Sequence, residues 1–357
     1  MSGQQLRVAV LGAGTVGREV VRAILERSDE LAVGGRPALS LAGVAVRDVD
    51  GAVARGIPAG VLTDAPAHLV ASGDADVVVE LMGGDEPATT LMSAALGAGI
   101  PVVTANKHAL AYHGAELEAI ARRTGAPLRF EASVGGGIPV LTPLARDLAG
   151  NRVTAVRGIV NGTTNYILTA MTDEGRDYAD VLAAAQAAGY AEADPTGDVE
   201  GHDAVNKLVV LARLAFGVWL DPSSIPMTDP AGPGHGRPGI TGVTAEDISA
   251  AAADGDVIRL VAAATGGAED PAAVAARVVA ARVPAASPLG RTSGVLNRIE
   301  VEAIPVGSVA FSGPGAGGPA TSSAVLGDLL AIAAGGGSTW GSLPPAIAAS
   351  SLAAARR

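Results

Sequence analysis

The chain has 357 residues, enough for two domains of about 100–200 residues each, and its 48% hydrophobic and 17% charged composition is that of a globular chain. Its 36 acidic against 25 basic residues give a net charge of -11, which argues against a nucleic-acid partner, and the absence of cysteine excludes disulfides, thiolate nucleophiles and thiolate metal sites. No basic segment followed by a long apolar one marks a signal peptide, and Gly, Asp or Arg interrupts each apolar stretch before it could span a bilayer, so a cytoplasmic protein with a small-molecule substrate and no membrane partner is expected.

In chain order, Leu6 to Leu11 reads as a strand. It ends in Gly12-Ala13-Gly14-Thr15-Val16-Gly17 and gives way to helical spacing through Val20, Val21, Ile24 and Leu25. Leu39 to Val46 is a second strand, Asp76 to Leu81 a third ending at Gly83-Gly84, Ala88 to Ala98 a helix, and Pro101 to Thr104 a further strand. Such alternation requires parallel strands with crossover helices, so the first ~130 residues read as one doubly wound sheet. After Gly150 the pattern changes. Arg152 to Val160 reads as a strand, Asn161 to Asn165 as a polar loop or helix start, Tyr166 to Met171 as a helix, the 180s as an alanine-rich helix ending at Gly189, and Val199 to about Phe216 as a strongly apolar helix. Val278 to Val283, Arg298 to Ile304 and Val309 to Phe311 suggest a second sheet. Pro226 to Gly242 reads as a surface loop, Ser322 to Ala333 as a last helix, and the small polar tail beyond Gly335 as frayed. The expected fold class is α/β, a doubly wound parallel sheet over residues 1–150, completed by 312–357, with a second α+β domain over 151–311 for substrate binding and dimerisation.

Gly12, Gly14 and Gly17 stand between a first strand and a first helix with dinucleotide-binding spacing. The first two allow a tight turn and close approach of a pyrophosphate to backbone N–H groups; the third allows helix and strand to pack closely. At the end of the second strand Arg47 precedes Asp48: a basic residue there suits the 2′-phosphate of NADP(H), an acidic one the ribose hydroxyls of NAD(H). NADP(H) is the expected preferred cofactor, with NAD(H) also possible.

Only two of the 25 basic residues are lysines, Lys107 and Lys207. Arginine stays protonated, whereas a lysine in a desolvated pocket can be brought into the range where it gives or takes a proton. Lys107 closes the segment Thr104-Ala105-Asn106-Lys107. Lys207 lies four residues after Asp203 on one helix face, among the apolar Ala204, Val210, Leu211 and Leu214. Asp198 is expected to cap that helix. Glu192, Asp194, Asp198, Glu200 and Asp203 give this one amine five neighbouring carboxylates, more than an ion pair needs and suited to a cationic ligand such as an α-ammonium group; a structural buried salt bridge is the alternative. His108, His113, His202 and His235 lack a transition-metal spacing and read as structural or solvent-facing.

Gly189-Tyr190 through Lys207 is similar to the signature of the homoserine dehydrogenase family. Thr104 to Lys107 resembles that family's nicotinamide-side loop, Asn161-Gly162-Thr163-Thr164-Asn165 its substrate loop, and Glu131 to Pro139 and Gly313 to Gly318 match in order, the whole running from about residue 6 to 333. The resemblance implies a Rossmann dinucleotide domain and reversible reduction of L-aspartate 4-semialdehyde to L-homoserine. In it Lys207 is the proton donor, Lys107 a second amine at the reacting oxygen, Asp203 a substrate ligand that orients Lys207, and Glu192, Asp198 and Thr163 further substrate contacts. It also implies that Gly12, Gly14, Thr15, Val16, Gly17, Arg47, Gly83, Thr104, Asn106, Lys107, Gly189, Gly315 and Gly317 meet the cofactor. A monovalent cation such as Na+ is implied at Glu131, Val134, Gly136 and Ile138, mostly through backbone carbonyls, as is a homodimer through the second domain's sheet. Long members carry a C-terminal regulatory domain, and threonine feedback through one is not expected here. A dehydrogenase of another amino-acid aldehyde and a non-catalytic dinucleotide sensor are the alternatives.

Overall fold

The computed structural model describes residues 5–32, 34, 36–267 and 270–346, with the side chains of 267 and 270–273 outside that description. The chain forms two compact units, one of Met1–Arg146 with Ala316–Pro345, the other spanning Asp147–Gly315.

The first unit runs β1 (Gln5–Leu11), α1 (Thr15–Leu31), β2 (Ala38–Ala45), α2 (Val49–Ala54), β3 (Leu62–Thr63), α3 (Pro66–Ala71), β4 (Val77–Glu80), α4 (Ala88–Gly97), β5 (Val102–Thr104), α5 (Lys107–Thr124), β6 (Leu128–Arg129) and α6 (Leu141–Ala145). All six strands pair in parallel in the order β3-β2-β1-β4-β5-β6, so the chain reverses direction across the sheet between β1 and β4. A strand covered on both faces has to be apolar throughout, and Val77, Val78 and Val79 are each 0% exposed. Val20, Val21 and Ile24 of α1 join Val8, Val10, Val44 and Val79 in one core, where each fully buried Val or Ile contributes about 1.5–3 kcal/mol.

The second unit runs β7 (Arg152–Ile159), α7 (Gly162–Glu174), α8 (Tyr178–Ala187), α9 (Thr196–Val199), α10 (His202–Phe216), α11 (Ala245–Ala253), β8 (Asp256–Gly267), β9 (Asp270–Pro284), β10 (Leu296–Ile304) and β11 (Gly307–Pro314). Its five strands are antiparallel in the order β11-β10-β7-β8-β9. One set of alternating residues, including Val156, Ile258, Leu260, Ile299 and Val301, is buried; the opposite set mixes half-exposed or exposed side chains such as Arg157, Ala263 and Arg277 with buried ones such as Ile159, Val261 and Glu300. The last helix, α12 (Gly318–Ala333), belongs to the first unit and packs on α1.

Several sequence expectations change. The helix expected from Val199 to Phe216 is two helices, because Gly201 takes a left-handed φ of 96° and itself stands at the N-cap of α10; Asp198 is therefore no cap of it. The last helix starts at Gly318 rather than Ser322, with a proline in its first turn. The part of the tail between 336 and 346 packs down: Thr339 is 0% and Trp340 3% exposed, Ser338 Oγ accepts from Leu128 N–H at 3.1 Å, and Thr339 Oγ1 accepts from Phe130 N–H at 3.0 Å. Residues 347–357 lie outside the described residues. The loop over Pro226 to Gly242 is anchored rather than purely superficial, with Ile240 buried and its N–H donating to the Val199 carbonyl at 2.9 Å. Among the described residues no helix is long and apolar enough to cross a membrane.

Candidate active site

The glycine turn of the first unit is built by steric necessity. Gly12 has φ +97°, and a Cβ on it would lie 2.8 Å from the Leu81 carbonyl oxygen; a Cβ on Gly17 would lie 2.0 Å from the Gly12 carbonyl oxygen. Gly14 is different. It has φ -74°, and a Cβ there would meet nothing within 4 Å, so the N-terminus of α1 opens onto free space. That space belongs to a cavity of about 490 Å³ whose lining includes Gly12, Gly14, Arg47, Arg55, Gly83 and Asp64, within the usual range for a small-molecule site. Exposed backbone N–H groups at a helix start, a glycine that leaves them uncovered and two arginines in the lining make a fitting cradle for a dinucleotide. Thr15 and Val16 form the first turn of α1. A Cβ on Gly318 would lie 2.8 Å from the Thr15 carbonyl oxygen, so the start of α12, capped by Gly317 at φ +111°, lies against the start of α1. Asp48, also on the cavity wall, caps α2 by accepting from Gly51 N–H at 2.8 Å.

Beyond β4 the chain turns through Gly83 and Gly84, with φ of +70° and +74°. Thr104 is 0% exposed; its hydroxyl donates to Glu80 Oε2 at 2.7 Å and accepts from Asn106 N–H at 2.9 Å, so it braces the segment from inside. Asn106 caps α5, of which Lys107 is the first residue.

At Glu131 the carboxylate is committed: it accepts from the N–H groups of Val140, Leu141 and Thr142, each at 2.7 Å, at the start of α6. Gly135 and Gly136 turn the chain with φ of +74° and +57°, and Val134, Gly136 and Ile138 are within the same segment, Val134 and Ile138 buried. Asp328 on α12 holds this segment by accepting from Glu131 N–H at 2.8 Å and from Arg129 Nε at 2.7 Å; burial pushes its carboxyl up to about 6 against the opposing pull of Arg129.

In the second unit Lys207 is 8% exposed. Its Nζ donates to Asp203 Oδ2 at 2.6 Å and to the Val160 carbonyl at 2.7 Å, leaving one of the three ammonium donors uncommitted among the described residues. Asn161, expected only as the first residue of a polar loop or helix start that resembles the family's substrate loop, is a hub. Its Oδ1 caps α7 through Thr164 N–H at 2.8 Å, and its Nδ2 donates to Asp198 Oδ1 at 2.7 Å and Asp203 Oδ2 at 2.9 Å. Asp198 and Asp203 thus converge beside the amine. Of the other three carboxylates, Glu192 is exposed on its loop, Asp194 accepts from Thr196 N–H at 3.1 Å, and Glu200 faces His202 at 3.4 Å. Thr163 donates to the Tyr190 carbonyl at 3.1 Å, and Tyr190 stacks on Tyr166 with ring centres 4.5 Å apart, which pins the loop after Gly189, itself at φ +77°. Gly315 is required by packing, since a Cβ there would fall 2.0 Å from Asn297 Oδ1. Of the histidines, His108 stacks on Tyr112 at 4.6 Å, His113 meets Asp85 at 2.8 Å and His235 meets Asp247 at 2.9 Å.

A family model described as homoserine dehydrogenase matches residues 139–330, and one described as the homoserine dehydrogenase NAD-binding domain matches residues 12–131. The chain belongs to the homoserine dehydrogenase family. It is 46% identical over 328 residues to the homoserine dehydrogenase of Mycobacterium leprae, covering 91% of this chain and 72% of that protein. The homoserine dehydrogenase solved from Thiobacillus denitrificans superposes with a TM-score of 0.85 at 37% identity, over 93% of this chain and 74% of that one. A hyperthermophilic archaeal homoserine dehydrogenase, solved in complex with NADPH, matches with a TM-score of 0.73 at 26% identity, over 92% and 97% of the two chains. As a homoserine dehydrogenase the chain is an NAD(P)-dependent oxidoreductase of amino-acid biosynthesis, with a Rossmann sheet and a separate antiparallel one.

Proposed function

We propose that this homoserine dehydrogenase uses Lys207 as its proton donor and acceptor. The supporting observation is the setting of that amine: nearly buried, gripped by Asp203 and the Val160 carbonyl, with one N–H left over among the described residues. When bound, a reduced nicotinamide supplies the hydride that converts an aldehyde to an alcohol. The carbonyl oxygen then becomes anionic, and the remaining Lys207 N–H donates a proton to it; in the reverse direction the neutral amine accepts that proton from the alcohol. Asp203 keeps the donor aimed and, with Asn161 and Asp198, forms the polar wall against which the amino-acid backbone of the substrate rests. Glu192 receives the substrate's ammonium group, and Lys107 acts as a second amine at the reacting oxygen.

NADP(H) is the proposed preferred cofactor. Arg47 and Arg55 line one cavity with Gly12 and Gly14, while the Asp48 carboxylate is already engaged by Gly51 N–H; the NADPH complex of the archaeal relative supports the same choice. With the Glu131 carboxylate satisfied by three N–H groups, a monovalent cation at this turn would be held by the backbone carbonyls of Glu131, Val134, Gly136 and Ile138. A homodimer through the half-exposed face of the second sheet, the face of Arg157, Ala263 and Arg277, completes the reading.

The direct assay follows absorbance of NADPH and NADH separately with aspartate semialdehyde, and of the oxidised forms with homoserine. The expected result is turnover with this pair and a higher kcat/KM for NADPH. Turnover confined to a different amino-acid aldehyde would overturn the substrate assignment.

A further inference from the structure

Glu80, at the end of β4, is a carboxylate with 0% exposure. Its Oε1 accepts from Met82 N–H at 2.8 Å and Gly83 N–H at 3.0 Å, and its Oε2 accepts from the Thr104 hydroxyl at 2.7 Å. From Thr104 the bonds continue: Oγ1 accepts from Asn106 N–H at 2.9 Å, and Asn106 Nδ2 donates to the Gly84 carbonyl at 2.8 Å, one residue beyond Gly83. The result is a closed circuit, Glu80 to the Gly83-Gly84 turn to Asn106 to Thr104 and back to Glu80. It joins the carboxyl ends of the adjacent strands β4 and β5, the edge of a doubly wound sheet where ligands bind. Two neighbouring parts are tied to it. Leu81, between Glu80 and the turn, is the residue whose carbonyl a Cβ on Gly12 would strike, and Asn106 Oδ1 accepts from Ala109 N–H at 3.0 Å, fixing the first turn of α5 at Lys107.

Burying a negative charge among neutral donors is expensive as a way of merely ending a strand, since an apolar residue would serve that purpose without desolvation. Three donors from two segments converging on it are what a joint requires. We propose that Glu80 is a positioning residue of the cofactor site. Through Thr104 and Asn106 it locks the Gly83-Gly84 turn and the Thr104 to Lys107 segment into one rigid wall, so that the dinucleotide meets a preformed surface and Lys107 a fixed starting point. The inference rests on dinucleotide binding by the first unit. No assignment drawn from the sequence gives Glu80 a part in it.

Thr104→Val, equal in shape but without the hydroxyl, opens the circuit at two bonds, while Thr104→Ser keeps both. NADPH affinity read by cofactor fluorescence, thermal midpoint, and steady-state kinetics are compared for these and for Glu80→Gln. Thr104→Val is expected to weaken NADPH binding about 10-fold and to lower kcat by a similar factor, with KM for aspartate semialdehyde within about 2-fold of wild type, because misplaced walls cost orientation. Thr104→Ser, which keeps both bonds, should bind NADPH more tightly than Thr104→Val, and Thr104→Val with Glu80→Gln should be no worse than the weaker of the two single variants, as members of one network are not additive. A Thr104→Val protein with a lowered midpoint but unchanged NADPH affinity would overturn the proposal, reducing Glu80 to a part of the fold. If Thr104→Val does not fold, Glu80→Gln carries the same two outcomes. Wild-type protein that binds neither NADPH nor NADH would instead refute the dinucleotide reading beneath it.

Discussion

Two glycines three residues apart should fail in different ways. A Cβ at Gly17 would sit 2.0 Å from the Gly12 carbonyl oxygen, where a carbon needs about 3.3 Å, so Gly17→Ala forces α1 to withdraw by roughly 1 Å from the turn it packs on. Overpacking of this kind costs about 1–3 kcal/mol, or about 2–12 °C in thermal midpoint for a unit of this size. Gly14 has φ -74° and open space where its Cβ would stand. Gly14→Ala therefore loses an N-cap glycine but gains from a stiffer unfolded chain, effects of opposite sign and each about 0.5–1 kcal/mol, and its midpoint should stay near wild type. The new methyl nevertheless covers the helix start that a pyrophosphate has to approach, and NADPH affinity should fall at least ~10-fold, equivalent to about 1.4 kcal/mol. Differential scanning fluorimetry and NADPH titration read the two effects separately. A Gly14→Ala protein that binds NADPH as wild type does, or a Gly17→Ala protein as stable as wild type, would refute this account of the turn.

Two further outcomes follow from charge. Arg47→Ser should weaken NADPH about 10-fold in a binding titration and leave NADH within about 2-fold, because only the former has a 2′-phosphate for the guanidinium to meet. At Glu300, burial pushes the carboxyl up, but hydrogen bonds and charge from Arg298 and Arg157 outweigh it and hold the group below its usual value. A lowered carboxyl stabilises the fold above its unfolded pKa and loses that contribution as pH falls through the folded value. Glu300→Gln should therefore lower the thermal midpoint at pH 7, and the gap to wild type should narrow as the pH falls below the usual carboxylate range.

The parallel sheet was readable because it is held by local patterns: β1 and β4 are apolar runs ended by glycine, and the turn before α1 needs glycine for reasons visible at fixed spacing. The pair Asp203 and Lys207 was equally legible, since four residues on one helix must meet. What lay between was not. β3 has only two residues, and β8 and β9 carry runs such as Ala262 to Ala264 and Ala275-Ala276, a composition that favours helix until a neighbouring strand overrides it. Gly201 hid inside an apparently continuous helix. Asn161 meets Asp198 and Asp203 across 37 and 42 residues, and Glu80 meets Thr104 across 24, so neither contact has a signature within its own segment. Of the five acids close to Lys207 in sequence, Asp203 bonds the amine directly and Asp198 joins Asp203 through Asn161, whereas Asp194 and Glu200 have partners of their own in Thr196 and His202. The 336–346 segment misled by composition, its small residues masking Trp340, which fills the first unit beside Phe130 with ring centres 6.0 Å apart.

In the proposed mechanism one amine, that of Lys207, moves the proton. Lys207→Met keeps the length of the side chain in its buried slot and removes the donor, while the cavity lined by Gly12, Gly14 and Arg47 is untouched. The kcat for aspartate semialdehyde should fall about 10³-fold, within the range for a lost general acid, with the NADPH dissociation constant within about 2-fold of wild type. A folded Lys207→Met enzyme turning over within about 10-fold of wild type would contradict the account, because the proton would then be coming from elsewhere.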